Sequence, residues 1–139
     1  MAIIPHITAI YAGILGLMLV ALSWRIMRMR AKLEVMVGDG GEKNLNIAMR
    51  IQGNFIEYVP MALLLISFNE ILGWQSAGIH ALGLTLVAAR LAHVHGMSQK
   101  DAAGKGRRIG ARLTFLVIIA ASLMCIAAVA MPLLYPAGQ

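Results

Sequence analysis

All twelve Lys and Arg residues of this chain fall in two windows, residues 25–50 and 90–112, and the stretches before, between and after them are dominated by apolar side chains. A soluble core cannot absorb apolar runs of that length. A bilayer can: about 20 apolar residues cross its hydrocarbon core as a helix, and Lys and Arg concentrate in short cytoplasmic loops. Both basic windows are therefore expected on the cytoplasmic side, with both termini periplasmic.

Composition narrows the choice further. The 139 residues are 60% hydrophobic and only 13% charged, against about 25% charged in an ordinary soluble domain. The formal charge of +6 sits at expected helix ends, without a basic face interleaved with aromatics, so nucleic acid is not an expected partner. The lone Cys125 lies in an apolar run, where it forms no intrachain disulfide and reads as inert packing. There is no glycine-rich phosphate loop and no paired-cysteine metal pattern, so no metal is expected. The first apolar stretch lacks the basic lead-in and small-residue cleavage site of a signal peptide, and is read as a retained first membrane helix.

The expected architecture is an all-α membrane protein, a bundle of four transmembrane helices at about 5–27, 45–72, 74–95 and 109–135, forming one membrane domain over residues 1–139. Gly13 and Gly16 suit close helix contact in the first helix, and Arg25, Arg28 and Arg30 close it. Gly38, Asp39, Gly40 and Gly41 give a polar turn before Asn44, a candidate cap for the second helix. Asn69, Glu70, Gly73 and Trp74 form a tight turn on the opposite side, and Trp suits that interface. Gly104, Gly106 and Gly110 read as flexible points of the second basic loop, and Pro132, Tyr135 and Pro136 end the last helix near the far interface.

The second helix carries the chemistry. Arg50, Asn54 and Glu57 recur at i, i+4 and i+7, on one helical face and over roughly 10 Å of axis. Ionisable groups at membrane depth face a partner helix or a water-accessible cavity and mark function by default. Assembly alone is the competing reading, with Asn54 as polar glue between helices. Pro60 frees the carbonyl of Ile56 beside this stripe.

The run Arg50-Ile51-Gln52-Gly53-Asn54-Phe55-Ile56-Glu57-Tyr58-Val59-Pro60, followed by Met61-Ala62-Leu63-Leu64, resembles the signature of the MAPEG family, the membrane-associated proteins of eicosanoid and glutathione metabolism. Arg50, Gln52, Asn54, Glu57, Tyr58 and Pro60 carry the match, and the resemblance is to a bacterial-type member related to the microsomal glutathione transferases. It implies a homotrimer in the inner membrane that takes glutathione as cosubstrate between neighbouring subunits near the cytosolic face. Arg50, Gln52, Asn54, Glu57 and Tyr58 would grip the tripeptide. An arginine bonds a carboxylate bidentately, and Glu57 would receive the ammonium. The resemblance also assigns a contact from the end of the first helix to Arg28 or Arg30, for which anchoring to the membrane surface is the alternative. It assigns the thiolate-stabilising arginine to Arg107 or Arg108, since a nearby guanidinium lowers a thiol pKa. Arg90 and His93 are further candidate contacts, although His93 and Met97 stand where well-characterised conjugating members carry tyrosines.

The implied activity is that of a glutathione transferase or peroxidase acting on lipophilic electrophiles, with the lipid bilayer, partner subunits, glutathione or a similar thiol, and a lipophilic substrate as partners. The rival from another class is a non-catalytic membrane scaffold of the same fold, or a binder of a small ligand or lipid. A small transporter using Glu57 is disfavoured by the lack of broken paired helices or repeats.

Overall fold

The computed structural model describes residues 4–98 and 104–134, apart from the side chain of Leu133. Four helices make up the architecture: α1 (His6–Leu33), α2 (Lys43–Ile71), α3 (Ser76–Ser98) and α4 (Lys105–Leu134). Each is long and apolar enough to cross a membrane. Helices dominate because they satisfy their own backbone hydrogen bonds in a medium without water.

The bundle has a largely apolar interior and an apolar exterior. Leu15, Ile51, Phe55, Ile66, Ile79, Leu86 and Val117 fill the interior, while Leu17 (75% exposed), Val20, Leu116, Ile119, Leu123 and Ile126 face outward. An exposed apolar surface of this extent would drive a soluble protein to aggregate. Lipid is the medium that covers it.

Helices α2 and α3 form the diagonal, each packing on both others, whereas α1 and α4 do not touch among the described residues. The closest packing joins α3 to α4. A Cβ on Gly96 would collide with the α4 backbone at Gly106 and Arg107; one on Gly110 would strike the α3 backbone at Ala89 and His93. Backbones meet this closely in membranes where small residues line the contact. Gly106 and Gly110 are thus a packing seam inside α4, not flexible points of a loop. That seam also accounts for α4 starting at Lys105, earlier than its apolar run: tertiary contact overrides the unfavourable cluster of Lys105, Arg107 and Arg108 at a helix N-terminus.

Other boundaries shift for local reasons. Helix α1 runs beyond its first charges to Leu33, and Glu34 ends it in the left-handed region at φ 56°. Lys and Arg are good helix formers, so charge marks the membrane boundary and not the end of the helix. Helix α2 begins at Lys43 behind Glu42, with no side-chain cap; Asn44 does not serve as one. It stays helical through Pro60. The expected far-interface residues Tyr135 and Pro136, and residues 99–103 of the second basic loop, lie outside the described residues.

The end opposite the basic windows is tied by side chains. Glu70, expected in a turn, belongs to α2 and caps α1: its Oε1 accepts from Ile7 N at 2.8 Å, and its Oε2 from Thr8 N at 2.8 Å and Thr8 Oγ1 at 2.6 Å. These donors are among the orphan N–H groups at a helix start, and a carboxylate there also suits the helix dipole. Tyr11 Oη lies 2.8 Å from His80 Nδ1, joining α1 to α3 near the same end. His80 is exposed, in the first turns of α3.

Candidate functional site

At the end carrying the basic windows, α2, α3 and α4 enclose a pocket of about 500 Å³, lined by Asn46, Met49, Arg50, Gly53, Asn54, Glu57, His93, Met97 and Arg107. Helical periodicity explains the α2 wall. Asn46, Arg50, Asn54 and Glu57 share one face, with Gly53 beside them. The opposite face buries Ile51, Phe55 and Val59 in the interior, which turns the polar stripe outward.

The α3 wall is buried and charged. Arg90 is 0% exposed, its guanidinium carbon lies 5.3 Å from the Phe55 ring centroid, and its Nη2 donates to Asn54 Oδ1 at 3.0 Å. A cation over an aromatic face gains from the ring quadrupole. Its Nε and Nη1 have no partner among the described residues, nor does Nδ1 of the buried His93 one turn on. Buried donors without acceptors are costly, so this turn of α3 is suited to a polar or anionic group entering beside it. Arg107 reaches the same pocket from α4 because the glycine seam holds the first turn of α4 against the last turns of α3.

The remaining predicted residues sit elsewhere. Gln52 donates to Ser23 Oγ of α1 at 2.6 Å, and Tyr58 packs edge-on against Phe115 of α4, with centroids 5.2 Å apart and planes at 71°. Neither lines the pocket. Arg30 holds the turn after α1, donating from Nη1 to the carbonyls of Val35 at 3.5 Å and Met36 at 3.2 Å, while its Nη2 approaches Met49 Sδ at 3.5 Å. Arg28 and Arg108 are exposed and outside the pocket. The structure thus gathers Arg50, Asn54, Glu57, His93 and Arg107, sets Arg90 behind them, and separates Gln52, Tyr58, Arg28, Arg30 and Arg108.

Asn46 and Met49 extend the wall without having been singled out from the sequence. Asn46 stands four residues before Arg50, so the periodicity that picks out Arg50 and Asn54 reaches it too. It also bonds Asp39, fastening the loop between α1 and α2 to the pocket wall. Asp39 accepts from Gly41 N at 3.0 Å as well. The hydrogen bond from Gly41 and then that from Asn46 hold its carboxyl below the ordinary value of 3.8.

The fold and pocket define an integral membrane protein with a polar, predominantly cationic cavity at the basic end of an apolar four-helix bundle. The MAPEG family model matches residues 8–127. The chain is 34% identical over 113 residues to the inner membrane protein YecN of Escherichia coli K12, covering 81% of this chain and 85% of that protein. The same figures hold for YecN of Escherichia coli O6:H1. This chain belongs to the MAPEG family.

Proposed function

We propose that this protein is a homotrimer of the inner membrane that binds glutathione, or a similar low-molecular-weight thiol, at its cytoplasmic end and uses it to conjugate or reduce lipophilic compounds. What most supports the reading is the convergence of Arg50, Asn54, Glu57, His93 and Arg107 on one pocket of about 500 Å³, within the roughly 300–1,000 Å³ usual for small-ligand sites. Its charges match a zwitterion of net negative charge. Arg50 meets a carboxylate in two parallel hydrogen bonds, Glu57 meets an ammonium, and Asn54 is held in place by Arg90.

Arg107 supplies the chemistry. Its guanidinium favours the thiolate over the thiol, so the proton leaves to water and the sulfur lone pair becomes available at neutral pH. Attack on an electrophilic carbon then forms a C–S bond as the leaving group departs with its electron pair. Arg107 is preferred to Arg108 for this role because Arg107 alone of the two lines the pocket. A lipophilic electrophile dissolves in the bilayer beside the exposed flank of α4, while the thiol arrives through water. In purified protein, conjugation to a model aryl halide is expected to fall sharply in Arg107→Ala with thiol binding retained, and binding itself to fall in Arg50→Ala. Unchanged turnover in both variants would end this assignment.

One observation favours the second reading, a non-catalytic scaffold or small-ligand binder of the same fold. Gln52 and Tyr58 are engaged with α1 and α4 and not with the pocket. On that reading Glu57→Gln weakens the trimer and no thiol binds at millimolar concentration.

A further inference from the structure

The turn between α1 and α2 displays two apolar side chains with nothing among the described residues to cover them: Met36 is 91% exposed and Val37 88%. The turn is nevertheless built. Glu34 reverses the chain in the left-handed region, Arg30 holds the carbonyls of Val35 and Met36, Val35 packs beside Ile26, Leu45 and Ala48, and Asp39 is fastened to Asn46. A turn fixed at both ends with an apolar tip is displayed, not left over.

Its position indicates what covers it. Met36 lies beside α1, where it lines with Met27, Arg30, Ala31, Glu34 and Val35 a groove of about 480 Å³, and Val37 follows it at the tip. Met27 is two residues, about 3 Å of helical rise, beyond Arg25, the first charge on α1. The headgroup layer is about 5–8 Å deep on each side of the hydrocarbon, so Met27, where the groove begins, lies within one headgroup depth of that first charge. Along α1, the outward apolar line of Leu17, Val20, Trp24 and Met27 leads from the hydrocarbon-facing surface to this groove. Next to it runs a second exposed line, Arg25, Arg28 and Lys32, at helical spacing. Residues 25–34 hold four cations, Arg25, Arg28, Arg30 and Lys32, against the single carboxylate Glu34.

We infer that the Met36–Val37 tip and the groove beside Met27 form a lipid-docking surface that dips into the cytoplasmic leaflet, with Arg28 and Lys32 drawing anionic phospholipid headgroups over it. An apolar tip beside a row of cations is the arrangement by which peripheral segments bind anionic membrane surfaces. The surface is separate from the polar pocket, sharing none of its lining residues, and stands whether or not that pocket takes a thiol.

The test places an environment-sensitive NBD label at Met36→Cys, and separately at Val37→Cys, in the full chain carrying Cys125→Ala, reconstituted in phosphatidylcholine vesicles with and without phosphatidylglycerol. Glu42→Cys, exposed at the start of α2 and outside the groove, is the aqueous control. The expected result is blue-shifted emission at 36 and 37, several-fold weaker quenching by aqueous iodide than at 42, and strong quenching by lipids carrying a nitroxide near the headgroup. Phosphatidylglycerol is expected to deepen the protection, and Arg28→Gln with Lys32→Gln to abolish that lipid dependence. Iodide quenching at 36 and 37 equal to that at 42 would overturn the inference. So would protection that lipid nitroxides do not share and that coincides with label-to-label energy transfer, which would assign the surface to a second copy of the chain.

Discussion

Arg90, fully buried in α3, donates from Nη2 to Oδ1 of Asn54 on α2 at 3.0 Å, joining the polar stripe to the helix behind it. The bond places a cation directly behind the pocket wall and fixes which way the Asn54 amide faces. The two residues do not depend on each other equally.

Asn54→Ala removes the acceptor and leaves a buried guanidinium with no hydrogen bond, a loss of about 1–3 kcal/mol and more if the charge stays unsolvated. Arg90→Met removes the charge and keeps most of the volume, and is expected to change stability by less than about 1.5 kcal/mol. Unfolding of both variants in mixed micelles checks the order. If Arg90→Met proved the more damaging of the two, the guanidinium would have acceptors beyond Asn54.

At the opposite end, Glu70 accepts three hydrogen bonds from the start of α1. Glu70→Ala is expected to cost about 2–4 kcal/mol, since bonds to a charged acceptor contribute roughly 1.5–3 kcal/mol each and water recovers part of the loss. Limited proteolysis should then cut near Ile7 before the rest of the chain. Thr8→Val, which removes only the hydroxyl donor, should lose much less.

The glycine seam makes a sharper demand. Gly110→Val puts a branched side chain into the α3 backbone at Ala89 and His93, and overpacking of this kind costs about 3 kcal/mol or more. Because the same contact carries Arg107 to the pocket, any folded fraction of the variant should conjugate poorly. Gly13→Ala, where an added Cβ meets nothing within 4 Å in this chain, should leave the monomer fold intact.

The turn between α1 and α2 supplies a pH dependence with a defined sign. The Asp39 carboxyl is held below its ordinary 3.8 by Gly41 N–H and Asn46, so its contribution is fully present above that value and is lost as pH falls through the lower, folded-state pKa. Between pH 5 and 8 the turn should not respond through this group. Asp39→Asn should loosen the turn at neutral pH, seen as faster amide exchange at Gly41 and Glu42, and the difference from the parent chain should shrink as pH falls below about 3.8.

The fold was legible because two patterns survive in the sequence: apolar runs of membrane length, and Lys and Arg restricted to two windows at one end of them. The wall formed by Arg50, Asn54 and Glu57 was legible for a similar reason, since helical spacing puts them on one face whatever surrounds them. Contacts between helices leave no such trace. Sequence alone could not separate Arg107 from Arg108, because the choice depends on how α4 is rotated, and that is set by Gly106 and Gly110 against α3. The G-x-x-x-G spacing of those two glycines was the available signal, and their place near a basic loop made it read as flexibility. Gln52 and Tyr58 lie next to the stripe in sequence yet point to Ser23 and Phe115, which no spacing on α2 alone reveals. Glu70 looked like a turn residue because its partners, Ile7 and Thr8, are more than sixty positions away.

The central claim is that the pocket between α2, α3 and α4 binds a thiol tripeptide through Arg50 and Glu57. Calorimetric titration of glutathione into the purified protein tests it most directly, run beside Arg50→Ala and the charge-neutral Glu57→Gln. Saturable binding is expected, weakened about tenfold or more in each variant, as for loss of a charge-assisted pair of roughly 1.5–3 kcal/mol. Absence of heat at millimolar glutathione, or equal affinity in all three proteins, would contradict it.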